Sequence, residues 1–142
     1  MQTVTGLNLD RIATTFESLD DWEQRFAYLL DLGKKLPPMD ATDRIEANRV
    51  HGCQATVFLK PTIEGTPPRI QYSAWADAPT VCGLIAILLT MYSGKTIDEI
   101  GAINAPAYFQ RLGLESHLSP TRRNGLHAMI QRIRNIAAAH TN

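Results

Sequence analysis

Leu9, Ile12, Phe16 and Leu19 recur at helical spacing between polar positions, which predicts an amphipathic helix over residues 9–18 with Asn8 as its N-cap. A second helix follows almost at once. Asp20 with Glu23 three positions on resembles a capping box, Trp22, Phe26, Leu29 and Leu30 share one face, and Gly33 is placed to end the helix in a left-handed conformation. Helices joined so closely are expected to pack as a hairpin. The period then changes. Beyond Pro37-Pro38 and a polar segment from Asp40 to Arg49, residues Thr56 to Ile63 read as a strand. Glu64-Gly65-Thr66-Pro67-Pro68 supplies a turn, and Arg69 to Ala76 reads as the returning strand, with Ile70, Tyr72 and Ala74 on one face. Two strands alone are marginal, so a third is expected near residues 46–51, with helices covering one face of the sheet.

The run from Val81 to Tyr92 is almost wholly apolar and predicts a core helix, capped by Asp77, carrying Pro79 in its first turn and stopping at Gly94. It is well short of the ~20 residues that span a bilayer. Thr96 with Glu99 signals a short helix, Pro106 starts another that ends at Gly113, and Ser119-Pro120 opens the last. In that last helix Leu126, Met129, Ile130, Ile133, Ile136 and Ala137 form the buried stripe, leaving Arg123, Arg132 and Arg134 outside it. The order of elements implies an α+β fold, a small antiparallel sheet of about three strands packed on several helices, in a single domain over residues 1–142.

Charge narrows the field of partners. Lys plus Arg and Asp plus Glu number 14 each, and this balance argues against a dedicated nucleic-acid binder or an electrostatic membrane anchor. The first 33 residues are nonetheless acidic, while residues 119–142 carry Arg122, Arg123, Arg132 and Arg134 and no acid. Two cysteines make no disulfide framework, and the N-terminus has neither a basic nor an apolar leader, so a reducing, cytoplasmic setting is expected. No Gly-rich phosphate loop, Cys-x-x-Cys pair or catalytic-triad context occurs.

What chemistry the chain offers lies at Val50-His51-Gly52-Cys53-Gln54-Ala55-Thr56-Val57-Phe58-Leu59. Gly52 can take positive φ and turn the backbone sharply, which presents Cys53 at a loop tip at the entrance to a strand. A thiol attacks only as thiolate, a minor form near neutrality. Cys53 reads equally as a nucleophile or as a small buried hydrophobe. His51, two residues before it, would share its side of an extended chain and lower its pKa, although Gly52 interrupts that geometry and an exposed polar role competes. Cys82, inside the apolar helix on a face with Ile85 and Leu89, reads as packing.

Gly52-Cys53-Gln54 followed by Thr56-Val57-Phe58-Leu59 resembles the thiol loop of the SufE family of sulfur acceptors. Three further blocks agree in order and spacing. Trp22-Glu23 through Leu32-Gly33-Lys34-Lys35-Leu36-Pro37 is similar to the family's second helix. Ala76-Asp77-Ala78 with Val81 and Gly83-Leu84-Ile85-Ala86 resembles its central helix, and His117 to Arg122 through Gly125-Leu126 and Met129-Ile130 resembles its last. The likeness covers roughly residues 10–139, with Phe58 where Trp is common and Ala55 where Ser is common. It implies the SufE/IscU-like α+β fold and a persulfide carrier, a sulfur-transfer accessory protein rather than a self-sufficient enzyme. Such a carrier would take sulfur onto Cys53 from a PLP-dependent cysteine desulfurase of the SufS or CsdA type, stimulate that enzyme, and relay the sulfur to an iron–sulfur scaffold. It further implies no cofactor or metal of the chain's own, since PLP belongs to the partner. Gly52 and Gln54 would shape the loop, and Asp77, His117 and Arg122, with His51, are candidates for loop or partner contacts. Three other classes stay open: a redox-sensing single-thiol protein, for which one exposed low-pKa cysteine suffices, an IscU-like scaffold, which would normally need four thiolates, and a helical nucleic-acid binder acting through Arg122, Arg123, Arg132 and Arg134, whose affinity would fall steeply with salt.

Overall fold

A computed structural model of the chain describes residues 6–140. Six helices, α1 (Leu9–Ser18), α2 (Trp22–Gly33), α3 (Pro79–Tyr92), α4 (Ile97–Ala102), α5 (Ala105–Leu112) and α6 (Pro120–Ala139), pack on a three-stranded antiparallel sheet of β1 (Val57–Glu64), β2 (Arg69–Ala76) and β3 (Lys95–Thr96), in the order β1-β2-β3. The α+β reading of the sequence is therefore correct in class and in strand number.

The helix starts are set by side chains that accept from orphan backbone N–H groups. Asn8 caps α1, Thr96 and Glu99 form a reciprocal capping box on α4, Asn104 caps α5, and Ser119 caps α6 by accepting from the Arg122 N–H. For α2 the cap is Asp21, one residue later than expected. Its carboxylate accepts from the Gln24 N–H, while the Asp20 N–H donates to Gln24 Oε1.

Gly33 departs further from expectation, since it is not left-handed. It lies within α2 at the crossing with α3, where a Cβ on it would come within 2.8 Å of the Gly83 N and 2.9 Å of the Cys82 Cβ. A Cβ on Gly83 would in turn lie 2.8 Å from Leu29 Cγ. The two glycines let these helices approach backbone to backbone, a packing requirement that local sequence does not distinguish from a helix stop.

β1 and β2 pair from Val57↔Ala76 to Glu64↔Arg69. This register puts Val57, Leu59, Ile70, Tyr72, Ala74 and Ala76 on the buried face, continuous with the core side chains of α1, α3, α5 and α6. The third strand is Lys95–Thr96 on the β2 edge, where Gly94, at φ +79°, turns the chain back after α3 and donates to the Ile70 carbonyl at 2.7 Å. Residues 46–48 form a 3-10 turn instead of the expected strand. What remains of strand pairing there is one bridge, Arg49↔Phe58, and the Val50 N–H donating to the Val57 carbonyl at 2.9 Å. Polar Glu46 and Asn48 gain little from an apolar sheet face, and Asn48 Nδ2 instead donates to the Asp43 carbonyl within its own segment.

That segment reaches over the face of the sheet away from the helices, where Lys60 pairs with Asp43 at 2.9 Å and the Arg44 guanidinium lies 4.9 Å from the Trp75 ring centre. α6 is held to the sheet by the Tyr72 hydroxyl, which donates to the Ile133 carbonyl at 3.0 Å, and to the 46–48 turn by Arg132, which donates to the Ala47 carbonyl at 2.9 Å. These ties hold the C-terminal half of α6, while its N-terminal half lies beside the loop between Val50 and Val57. Among the described residues no helix is long and apolar enough to cross a membrane.

Candidate functional site

The loop that carries Cys53 is short and firmly rooted. At its base the Val50 N–H donates to the Val57 carbonyl, and Thr56 is held twice by Asp77: the Thr56 N–H donates to Asp77 Oδ1 at 3.1 Å, and the Asp77 N–H donates to the Thr56 carbonyl at 3.2 Å. Asp77 therefore does not cap α3 as the sequence suggested. Ala78 occupies the N-cap position without a side-chain bond, and Pro79 opens the helix. A carboxylate spent on the strand-side amide is unavailable to the helix. Gly52 has φ +94°, the left-handed turn expected of it, and this brings the chain over α6.

Cys53 is half-buried beside α6, with its S–H directed at the Gly125 carbonyl at 3.5 Å. Burial pushes its thiol above the ordinary value, so the resting sulfur is protonated at neutral pH. The sulfur opens onto a cavity of about 450 Å³ whose wall includes Gln54, Ala55, Asp77, Val81, Arg122 and Met129. Arg122 brings a positive charge to that wall, at the first turn of α6.

Four of the residues singled out in the sequence, Cys53, Gln54, Asp77 and Arg122, thus meet at one cavity, and Gly52 shapes its loop. The two histidines are elsewhere engaged. His51 is exposed and pairs through Nε2 with Glu46 Oε1 at 3.0 Å. His117, in a 3-10 turn before α6, stacks on Trp22 with ring centres 3.5 Å apart, while its Nδ1 lies 3.1 Å from the Gly113 carbonyl. It anchors the approach to Ser119 rather than facing the thiol. Cys82 is half-buried rather than wholly packed, with its S–H directed at the Ala76 carbonyl at 3.5 Å, and it lines a separate groove with Ala27, Leu30, Lys34 and Pro79.

The sequence placed Met129 in the buried stripe of the last helix and Gly125 in a family-like block, but assigned neither of them, nor Ala128, to the site, where they stand with Arg122 on its α6 side. One signal was available. A glycine inside an apolar helical stripe costs about 1 kcal/mol against alanine, so its presence implies a close approach that a side chain would obstruct.

Fold and site together define an α+β protein with one loop-borne thiol set against a cavity. Comparison with known proteins places it more narrowly: a family model for SufE, described as an Fe-S metabolism associated domain, matches residues 10–137, and the chain belongs to that family. It is 43% identical over 129 residues to an uncharacterized SufE-like protein of Rhizobium etli, covering 89% of this chain and 87% of the relative. A second SufE-like protein, from Rhizobium meliloti, is 42% identical over 132 residues, covering 92% and 94%. Among solved structures, the solution structure of a hypothetical protein from Thermus thermophilus superposes with a TM-score of 0.73 at 26% identity, covering 98% of this chain and 97% of that one. The family assigns the chain a role in iron–sulfur metabolism.

Proposed function

We propose that the chain is a sulfur acceptor for a PLP-dependent cysteine desulfurase, holding the transferred sulfur on Cys53 and relaying it to iron–sulfur cluster assembly. The observation that carries this reading is the loop-borne Cys53, poised over a cavity that contains an arginine and a carboxylate but no imidazole. Transfer of sulfane sulfur needs nothing more elaborate. The Cys53 thiolate attacks the outer sulfur of the donor's cysteine persulfide; the donor's S–S bond breaks, its cysteine leaves as thiolate, and a new S–S bond forms on Cys53. Sulfur oxidation levels balance within the exchange, and the rate depends on the thiolate fraction, on the leaving thiol's pKa and on access. Removal of the persulfide frees the donor for another turnover, so the acceptor also stimulates the desulfurase.

Gln54, Asp77 and Arg122 serve this chemistry by shaping the pocket, and Arg122 offers a cationic wall to an anionic persulfide. A redox sensor would want a thiol of lowered pKa at rest, whereas burial here raises it. A cluster scaffold would want four thiolates, and the chain has two cysteines.

The test is intact-mass spectrometry after incubation with a cysteine desulfurase and L-cysteine. A gain of one sulfur atom, reversed by reductant and missing in Cys53→Ser, is the expected result. No gain with any desulfurase of the host, from a protein whose thiol still alkylates, would sink the proposal.

A further inference from the structure

Two opposite charges line the cavity beside Cys53 without meeting. Arg122 reaches it from the first turn of α6 and Asp77 from the β2–α3 junction. Among the described residues, no ion pair joins either of them to the other or to any third residue. The Asp77 carboxylate accepts from the Thr56 N–H through Oδ1, which leaves Oδ2 for another donor. On the Arg122 side the cavity also takes in Ser119 and Thr121, at the start of a 20-residue helix whose positive dipole end favours an anion. The sulfur lies along the same helix. Cys53 packs on Gly125, where a built Cβ would stand 3.6 Å from Sγ, and Gly125 is about 4.5 Å along the axis from Arg122. Ala128 gives the loop the same closeness at Gly52, where a built Cβ would stand 3.1 Å from its own.

A thiol, a cation and a carboxylate around one cavity match the three polar ends of cysteine itself. Its carboxylate suits Arg122 and the helix end, its ammonium suits Asp77, and its methylene suits the apolar wall of Val81 and Met129. The volume of about 450 Å³ falls in the range of small-molecule sites, about 300–1,000 Å³. A cysteine inside a protein donor carries neither charge, because both groups are consumed in peptide bonds. The unpaired charges therefore suit a free amino acid better than a protein segment.

We propose that this cavity binds free cysteine in its persulfide form, held by its own ammonium and carboxylate, and that Cys53 takes sulfur from it without a protein donor. The Cys53 thiolate attacks the outer sulfur, which keeps its proton; the small molecule's S–S bond breaks, cysteine leaves as thiolate, and a new S–S bond forms on Cys53. No net oxidation occurs. The inference rests on the acceptor reading for the onward use of the sulfur, and on the cavity alone for recognition of the amino acid.

The test needs no desulfurase, so its outcome is separate from that of sulfur loading by the enzyme. In a Cys82→Ser background, Cys53 is offered L-cystine, D-cystine or cystamine, and mixed-disulfide formation is followed by intact mass. Each rate is divided by that of the urea-unfolded chain, which cancels intrinsic reactivity. The enantiomers have identical charge and chemistry, so only a chiral site separates them. L-cystine should react at least about tenfold faster than D-cystine or cystamine, the weight of one charge-assisted contact. Arg122→Gln and Asp77→Asn, each still melting cooperatively, should bring the L to D ratio close to one. Sulfide converts cystine to cysteine persulfide, and its addition should leave one sulfur on Cys53 with the same preference for L. Equal rates for the enantiomers on the folded parent overturn the proposal, as does an L to D ratio unchanged in either variant, or equal loading by persulfides of the two hands. Should the variants not fold, cystamine decides, since it lacks the carboxylate; a rate equal to that of L-cystine also overturns it.

Discussion

Cys53 and Cys82 have nearly the same static surroundings. Each is half-buried, each directs its S–H at a backbone carbonyl 3.5 Å away, and burial raises the pKa of both. They differ in what carries them. Cys82 is part of α3 at its tightest crossing with α2, where Gly33 and Gly83 bring two backbones together, so its sulfur, though half-exposed to a groove, moves only with the helix. Cys53 hangs on a loop whose ends are fixed and whose middle touches α6 lightly. Reactivity here is therefore a matter of what can move, and equal burial of two sulfurs does not make them equal nucleophiles.

That contrast can be broken outright by sulfur loading. Cys82→Ser should load one sulfur per chain as fully as the parent, and Cys53→Ser none, by intact mass; any sulfur retained on Cys82 would end the distinction. Next in size is Gly83→Ala, which forces a methyl against Leu29 at the helix crossing. It should cost about 3 kcal/mol of stability by denaturant titration, since overpacking a closed core leaves no room to relax. It should also speed alkylation of Cys82 more than that of Cys53.

A smaller effect is expected from Asp77, which stands between the two cavities. After burial, the Asp77 carboxylate is a further cause that lifts the Cys82 thiol. Asp77→Asn keeps an oxygen for the Thr56 N–H but removes the charge, so the alkylation midpoint of Cys82 should move to lower pH with a stability change of about 1 kcal/mol or less.

Alkaline titration supplies a check of a different kind. Both thiols are raised from 9.0, burial raises Tyr72, and burial pushes Tyr108 up to about 12. The folded chain thus holds protons that the unfolded chain releases. Stability from these groups is complete below pH 9 and is lost as pH climbs through the range above it. The melting temperature should fall steadily from pH 9 to 12, and a flat profile would show that these groups are more solvated than their positions imply.

Much of this arrangement was legible along the chain because it is local. Asn8, the Thr96–Glu99 pair, Ser119-Pro120 and Gly113 at φ +71° act within a few residues of themselves, and each does what its neighbours predicted. Apart from the one-residue slip at the α2 cap, the errors share the opposite property. Gly33, which does end α2, looked like a left-handed stop because its partner Gly83 is fifty residues away, and Asp77 looked like a cap because the amide it serves belongs to Thr56. The misplaced third strand has the same origin, since Lys95–Thr96 pairs with β2 by virtue of where α3 delivers the chain. Within the site, the residues of the thiol motif were found, while Gly125 and Ala128 were missed because their importance lies in having almost no side chain.

The hydrogen bond from Val50 to Val57 that closes the loop also acts as a ruler. With the chain pinned there, Cys53 is three residues from a fixed point, and a fully extended backbone of that length spans at most about 10 Å. Adding its own side chain, the sulfur can reach only a short way beyond the protein's surface. For the acceptor function proposed above, a donor whose persulfide lay at the bottom of a deep, rigid shaft would be out of range, and the donor that fits is one that presents sulfur near the rim or delivers it on a moving arm of its own.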